Sequence, residues 1–158
     1  MVRVDKTNYY LNLAEECARR GTCLRRNYGA VIVKNDEVIA TGYTGAARGM
    51  PNCCDKGKCK REELGCKPGE RYELCVSVHA EQNAIISAAR RDMVGSTLYL
   101  VGIDAKTGEV LEKAEPCMMC RRMIINAGIT DIVSRTGNTG CYVKTPVVAY
   151  QIISDEAK

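Results

Sequence analysis

The 158-residue sequence contains no phenylalanine and no tryptophan, and it has a single histidine and only four prolines. Apart from that imidazole, its eight tyrosines are the only aromatic rings that could stack on a ligand. No apolar run reaches the roughly 18 residues that a membrane span needs. Residues 1–6 lack the long apolar core of a signal peptide. We therefore expect a cytoplasmic protein that has no membrane partner.

The length and composition predict one globular domain that spans residues 1–158. Hydrophobic residues make up 46% and charged residues 27% of the chain, which is ordinary for a globular protein. The net charge of +4 is mild. It allows an anionic small molecule as ligand, but it does not indicate a nucleic-acid partner.

Periodicity predicts an α/β sandwich with a mixed sheet. The predicted helices begin near Asp5, His79 and Pro116 and end near residues 20, 91 and 128, with Pro116 at the first helical position. The predicted strands cover residues 30–33, 38–40, 97–101, 131–133 and 147–153, and Asn35 and Asp36 supply the turn of a first hairpin.

A cysteine-rich loop at about residues 45–76 interrupts this order. The chain has ten cysteines, of which five lie between Cys53 and Cys75. A structureless loop of this length is unusual inside a compact domain. Without a secretion signal, reduced thiolates on a metal explain the cysteines better than disulfides do. Buried free thiols are the alternative.

His79, Cys117 and Cys120 have the spacing of a catalytic zinc site. Cys117 and Cys120 are three residues apart on a predicted helix, so their thiols point the same way. With the histidine they give three ligands and leave a fourth zinc position open. Glu81 lies two residues after the histidine and is better placed as a proton shuttle than as a ligand. Taken alone, the Cys117–Cys120 pair also fits a redox pair or half of a structural zinc site, and the histidine alone also fits a core or surface residue.

Together, His79-Ala80-Glu81 and Pro116-Cys117-Met118-Met119-Cys120 form the signature of the zinc deaminases. The chain resembles the cytidine deaminase superfamily and, within it, the deoxycytidylate (dCMP) deaminases. Five stretches carry the narrower resemblance, namely residues 28–34, 41–45, 52–55, 79–85 and 124–129. It implies a three-layer αβα sandwich with a mixed sheet of about five strands.

The resemblance implies hydrolytic deamination of dCMP to dUMP and ammonia by a zinc-bound hydroxide, which supplies dUMP for dTTP synthesis. It places zinc on His79, Cys117 and Cys120, and proton transfer on Glu81. It also implies a homohexamer that dCTP activates and dTTP inhibits, with Mg²⁺ accompanying the effector. The alternatives are a deaminase of the same fold acting on cytosine, a nucleoside, a pterin- or riboflavin-type ring or RNA, and a non-catalytic zinc-binding module.

A second, structural zinc is a further implication of the resemblance, because some phage and bacterial members carry one. Cys23 and Cys53 match two of its ligand positions. The chain has no spare histidine, so Cys75 and either Cys59 or Cys54 would complete a four-cysteine site.

The predicted substrate-binding residues are Thr44, Asn83, Arg26 and Arg48. Thr44 stands where the family usually has an asparagine that faces the sugar. Arg26 and Arg48 are candidates for the phosphate, although each could be an ordinary surface arginine. Balanced charges in the loop weigh against a nucleic-acid track. Without phenylalanine, the ring beside the base falls to a tyrosine, with Tyr43, Tyr99 and Tyr142 as candidates, or to aliphatic side chains.

Overall fold

A computed structural model describes residues 1–137 and 140–150. The helices are α1 (Lys6–Arg19), α2 (Cys53–Lys56), α3 (Lys60–Glu63), α4 (Ala80–Ile86), α5 (Arg90–Met93) and α6 (Met118–Ala127). The strands are β1 (Arg26–Lys34), β2 (Glu37–Tyr43), β3 (Gly45–Ala46), β4 (Ser77–Val78), β5 (Thr97–Asp104), β6 (Asp131–Arg135) and β7 (Tyr142–Pro146). None of the helices described here is long and apolar enough to cross a membrane.

Five strands form one mixed sheet, as the resemblance implied, and their order is β2-β1-β5-β6-β7. β5 and β6 are parallel, whereas the other three neighbouring pairs are antiparallel. The β1–β2 hairpin turns at Asn35 and Asp36, whose φ angles of 51° and 65° lie in the left-handed region. Asparagine and aspartate tolerate that region better than most residues, which explains why the chain turns there.

Apolar side chains alternate between the two faces of the sheet and create the three predicted layers. Val31 and Val33 of β1 face α1, where they meet Leu11 and other buried residues of that helix. Ala30 and Ile32 point the other way, into the core that α4 and α6 share with the sheet. The sandwich therefore keeps α1 on one side and both predicted ligand-bearing helices on the other.

Two glycines let helices approach the sheet closely. A Cβ on Gly29 would lie 1.9 Å from the carbonyl oxygen of Ala14 in α1. On the opposite face, a Cβ on Gly42 would lie 2.2 Å from the carbonyl oxygen of Ala80 in α4. Real Cβ atoms do not come so near, so only glycine permits this spacing at either position. Gly42 thereby sets how close the first turn of α4 comes to β2.

The predicted helix over residues 79–91 is wrong in its length, because the structure has two short helices there. α4 ends at Ile86, and Ala89 is extended with ψ 141° before α5 begins. The Ser87 hydroxyl donates to the carbonyl oxygen of Asn83 at 2.8 Å, a local bond of the kind that competes with helix continuation. Pro116 also lies outside its helix, because Cys117 is the N-cap residue.

The predicted last strand over residues 147–153 is wrong for the part that the structure describes. Residues 147–150 form a turn followed by helix, and residues 151–153 lie outside the described residues. The last strand among the described residues is β7, an edge strand whose residues are mostly exposed. Its sequence lacks an apolar pattern because only one edge pairs with β6 and its side chains meet solvent. Val147 and Tyr150, which fall in the predicted strand, are instead buried in the core that α4 and α6 share with the sheet.

The cysteine-rich loop is not structureless. It contains α2, α3 and a single 3₁₀ turn at Tyr72–Leu74. β3 and β4 pair as a two-stranded ribbon and bring the two ends of the loop together. The loop therefore leaves the sheet after β2 and returns immediately before His79.

Candidate active site

The N-termini of α4 and α6 bring the three predicted zinc ligands together. His79 is the N-cap residue of α4, and Cys117 is the N-cap residue of α6. His79 Nδ1 lies 3.5 Å from Cys117 Sγ and 3.4 Å from Cys120 Sγ. Among the described residues, this is the one group of three or more potential ligands whose donor atoms all lie within 4.8 Å of one another.

Local helix chemistry fixes the histidine. The His79 backbone N–H donates to Gln82 Oε1 at 2.9 Å, and the two residues form a reciprocal capping box. The capping box anchors His79 at the start of α4, and its side chain lies beside the two thiols. Cys120 is fully buried in the first turn of α6, whereas Cys117 is partly exposed at its cap.

The two thiols compete for one proton, which fits a site for a cation. A hydrogen bond from Cys120, together with one from His79, lowers the pKa of Cys117 to about 4. The bond to Cys117 and burial raise the pKa of Cys120, so its thiol holds its proton more strongly than that of Cys117 does. A metal ion would replace that proton and stabilise both thiolates. One imidazole and two thiolates at the floor of a cavity suit Zn²⁺ with an open position.

Glu81 is buried next to this cluster, with 4% of its surface exposed. Desolvation raises the pKa of its carboxyl group, opposed by smaller contributions that include the charge of His79. The carboxyl group is close enough to Cys120 to exchange a hydrogen bond with its thiol. A carboxylate of raised pKa can both take and return a proton near neutral pH.

A cavity of about 140 Å³ opens above His79, Glu81 and Cys117. β1, β2 and the cysteine-rich loop supply the other walls, which are lined by Cys23, Arg25, Arg26, Tyr28, Thr44, Arg61, Pro68, Gly69, Tyr72, Cys75, Ser77 and Glu115. The catalytic candidates are therefore at the floor of the cavity, and much of its wall comes from the loop.

Two of the four predicted substrate-binding residues line this cavity. Thr44 is buried, and its Oγ1 accepts a hydrogen bond from the Tyr28 backbone N–H at 3.0 Å. Arg26 lines the cavity from an exposed position at the start of β1. Arg48 is exposed and is not among the lining residues, and Asn83 Nδ2 instead donates to the carbonyl oxygen of Tyr43 at 2.8 Å.

The aromatic rings of the cavity are Tyr28 and Tyr72, which sequence analysis missed. The Tyr72 ring meets the His79 imidazole edge to face, with 5.0 Å between ring centroids. Tyr99 lies on the α1 side of the sheet, whereas Tyr43 and Tyr142 are exposed and outside the cavity lining. No sequence motif marks Tyr72, because the fold of the loop alone brings it to the histidine.

Arg25 and Arg61 are further lining residues that the sequence did not single out. Arg61 belongs to α3 in the cysteine-rich loop and is buried despite its charge. In the sequence it is one of several basic residues in a loop of balanced charge, so nothing there separates it from a surface arginine.

The loop cysteines divide into two environments. Burial, followed by the charges of Cys23, Cys59 and Cys75, raises the pKa of Cys53, so these three thiols lie near that of Cys53. Cys54 is exposed, and its thiol faces Asp55 with 3.7 Å between sulfur and oxygen.

The sequence matches the family model for the cytidine and deoxycytidylate deaminase zinc-binding region over residues 4–136. A deoxycytidylate deaminase of Mycobacterium phage D29 is 36% identical over 138 residues, covering 84% of this chain and 96% of the phage protein. The deoxycytidylate deaminase of Saccharomyces cerevisiae is also 36% identical, over 84% of this chain but only 38% of the yeast protein.

Solved structures agree with this match. The dCMP deaminase of cyanophage S-TIM5, crystallised with dCMP and dUMP, aligns with a TM-score of 0.61 and 26% identity over 85% of this chain and 84% of the phage chain. A cytidine deaminase from Burkholderia pseudomallei shares the fold, with a TM-score of 0.56 and 17% identity over 89% and 92% of the two chains. The chain belongs to the zinc-dependent cytidine and deoxycytidylate deaminase family.

Proposed function

We propose that the protein hydrolyses the exocyclic amine of dCMP to give dUMP and ammonia. The observation that carries the proposal is the buried Glu81 carboxyl group beside His79, Cys117 and Cys120 at the floor of a cavity. A zinc ion held by those three residues would supply Lewis acidity and lower the pKa of a water molecule.

Glu81 carries the proton transfers in this proposal. It accepts one proton from the attacking water and delivers it to the ring nitrogen N3, then takes the second proton from the hydroxyl group of the tetrahedral intermediate and delivers it to the departing amine. Burial excludes competing water from the carboxyl group, and the raised pKa lets one group act as base and then as acid. The fixed helix start at His79 keeps the carboxyl group at one distance from the ligand cluster.

The wall of the cavity favours a cytosine nucleotide as substrate. Tyr72 offers a ring beside His79, where a base would have to lie for its amine to reach Glu81. The arginines on the wall favour an anionic substituent over a neutral one. The similar phage and yeast proteins are deoxycytidylate deaminases, which supports the same substrate here.

The test is deamination of dCMP by the zinc-loaded protein and by Glu81→Gln. The variant keeps the side-chain length and all zinc ligands, so we expect bound zinc to stay unchanged while turnover falls by about 10²- to 10⁴-fold. Glu112→Gln changes an exposed glutamate and serves as the matched control. Substantial turnover by Glu81→Gln would refute the role of Glu81. Preference for free cytosine, a riboflavin-type ring or RNA would instead select another deaminase activity.

We also propose a second, structural zinc on Cys23, Cys53, Cys59 and Cys75. The charges of Cys23, Cys59 and Cys75 all act on the thiol of Cys53, which supports the set, and the exposed position of Cys54 favours Cys59 as the fourth ligand. A four-thiolate site would anchor a loop that has few buried apolar residues of its own. Metal analysis should find two zinc ions per chain, and a value near one in folded protein would end this proposal.

Regulation and assembly follow from family membership as further proposals. The protein would work in the cytoplasm as a homohexamer and supply dUMP for dTTP synthesis, with activation by dCTP and Mg²⁺ and inhibition by dTTP. Light scattering measures the mass of the assembly directly. Initial rates at low dCMP concentration, with and without each triphosphate, test the regulation.

A further inference from the structure

Arg61 is a buried cation on the wall of the cavity. Only 7% of its surface is exposed, although it lies in a short helix of a surface loop. Its Nη2 donates to the carbonyl oxygen of Lys67 at 3.1 Å, and its Cζ lies 4.6 Å from the centre of the Tyr72 ring. Its Nε is buried and has no hydrogen-bond partner.

The charge of Arg61 is not neutralised by a contacting carboxylate. Burying a guanidinium without a counter-ion carries a large desolvation penalty. In the part of the chain that the structure describes, no ion pair includes Arg61. The aromatic contact and the single carbonyl acceptor offset part of that penalty, but they leave a donor free.

A second arginine faces the same space with a free donor. Arg25 lines the cavity, and its Nη1 is buried without a partner. Its Nε pairs with Glu62 at 3.4 Å, so one carboxylate offsets part of its charge. Arg26 adds a third guanidinium to the wall.

The acidic groups of the cavity do not cancel these charges. Glu115 lies 3.2 Å from Lys113 and 3.5 Å from Arg121, so it already has cationic partners. Glu81 is at the floor beside the thiols and belongs to the reaction centre. The wall therefore keeps an excess of positive charge, and two of its buried guanidinium nitrogens, Arg25 Nη1 and Arg61 Nε, have no hydrogen-bond partner.

We propose that Arg61, assisted by Arg25, binds the 5′-phosphate of the substrate and makes the cysteine-rich loop the element that selects nucleotides over nucleosides. This inference rests on the proposed deamination of a cytosine nucleotide. Tyr72 lies between the reaction centre and the arginine wall. Its ring contacts His79 edge to face, and the Arg61 guanidinium packs over the ring. A base beside Tyr72 would thus have its phosphate directed toward the arginine wall.

The experiment compares kcat/KM for dCMP and for deoxycytidine in the wild-type protein and in Arg61→Gln. Charge-assisted hydrogen bonds of this kind predict a loss of about 10- to 100-fold for dCMP in the variant. The value for deoxycytidine should stay within about twofold, because the nucleoside has no phosphate to lose. Arg61→Lys keeps the charge without the forked donors, so it should lose less than Arg61→Gln, again for dCMP alone.

Arg71→Gln is the matched control, because Arg71 lies in the same loop with an exposed side chain that pairs with Glu73. We expect this change to leave kcat/KM unchanged for both dCMP and deoxycytidine. Zinc content and the melting temperature establish that each variant is folded. If Arg61→Gln does not fold, the selectivity of Arg61→Lys decides the question.

Equal losses for dCMP and deoxycytidine would overturn the proposal and assign Arg61 a purely structural role. An unchanged kcat/KM for dCMP would also overturn it. If the wild-type protein deaminates neither compound, the proposed reaction fails instead. Calorimetric binding of dUMP and of inorganic phosphate then still tests Arg61, since weaker binding by Arg61→Gln supports the phosphate subsite and equal binding refutes it.

Discussion

Gly42→Ala tests whether the approach of α4 to the sheet sets the geometry of the active site. The added Cβ would lie 2.2 Å from the carbonyl oxygen of Ala80 and 2.4 Å from the backbone nitrogen of Ala84. Ordinary contacts begin near 3.4 Å, so β2 and α4 would have to separate by about 1 Å. His79 caps α4 and Glu81 lies in its first turn, so both would move with the helix.

The expected effects differ for stability and for activity. Overpacking of this kind lowers the free energy of unfolding by about 1–3 kcal/mol. A shift of about 1 Å in a catalytic group can reduce the rate on the order of 10²-fold, because proton transfer depends on distance and direction. We therefore expect a folded protein with greatly reduced kcat/KM for dCMP and weakened zinc binding.

Gly29→Ala is the matched control for this prediction. Its Cβ would lie 1.9 Å from the Ala14 carbonyl oxygen and 2.3 Å from the Ala18 nitrogen, so the clash with α1 is as severe. α1 lies on the other face of the sheet and carries no residue of the site. Urea unfolding, zinc analysis and kcat/KM should be measured on both variants. Equal losses of bound zinc and of kcat/KM in Gly42→Ala and Gly29→Ala would refute the reasoning. A Gly42→Ala variant that is destabilised but keeps the wild-type kcat/KM would also refute it.

Three further predictions concern the loop, the aromatic wall and the first helix. Cys53→Ser should lower the zinc content by about one ion per chain and destabilise the loop to proteolysis, whereas Cys54→Ser, which alters an exposed thiol, should do neither. Tyr72→Leu should raise KM for dCMP and also for deoxycytidine, since the ring lies beside His79 where either base would lie; a change confined to dCMP would contradict its role at the base. Tyr10 donates a hydrogen bond to Asp36, which raises the pKa of its phenol to about 12. The bond contributes its full stabilisation below pH 10, and this contribution is lost as the pH rises through 12. The difference in free energy of unfolding between wild type and Tyr10→Phe, measured by urea unfolding, should therefore narrow above pH 10. A difference that stays constant would argue against the bond.

The sheet and the metal cluster could be predicted from the sequence because each leaves a regular pattern. Short continuous apolar runs predicted β1 and β5, whose central residues are buried, and the Asn35-Asp36 pair predicted the hairpin turn. His79, Cys117 and Cys120 were found from ligand spacing and helix starts. The distances between their donor atoms confirm that the fold brings them together.

Edge and loop features escaped prediction because no apolar period marks them. β7 has an exposed, polar sequence, so the apolar residues after it attracted the strand prediction instead. The break between α4 and α5 depends on one Ser87 hydroxyl within an alanine-rich stretch that otherwise favours a helix. Burial of Arg61 and the contact of Tyr72 with His79 depend on long-range packing of the loop, which sequence spacing cannot give.

The residues that could be predicted and those that could not belong to two different parts of the active site. The floor is formed by helix starts that are anchored on the sheet, where glycine contacts and capping bonds leave little freedom. The wall comes from a loop whose short helices are arranged around thiols, with Arg61 only two residues after Cys59. Proton transfer requires the rigid floor, whereas recognition of a phosphate requires only a charged group at the right distance. Preference for a phosphorylated substrate should therefore depend on the arginines of the wall, while the deamination chemistry depends on His79, Glu81, Cys117 and Cys120.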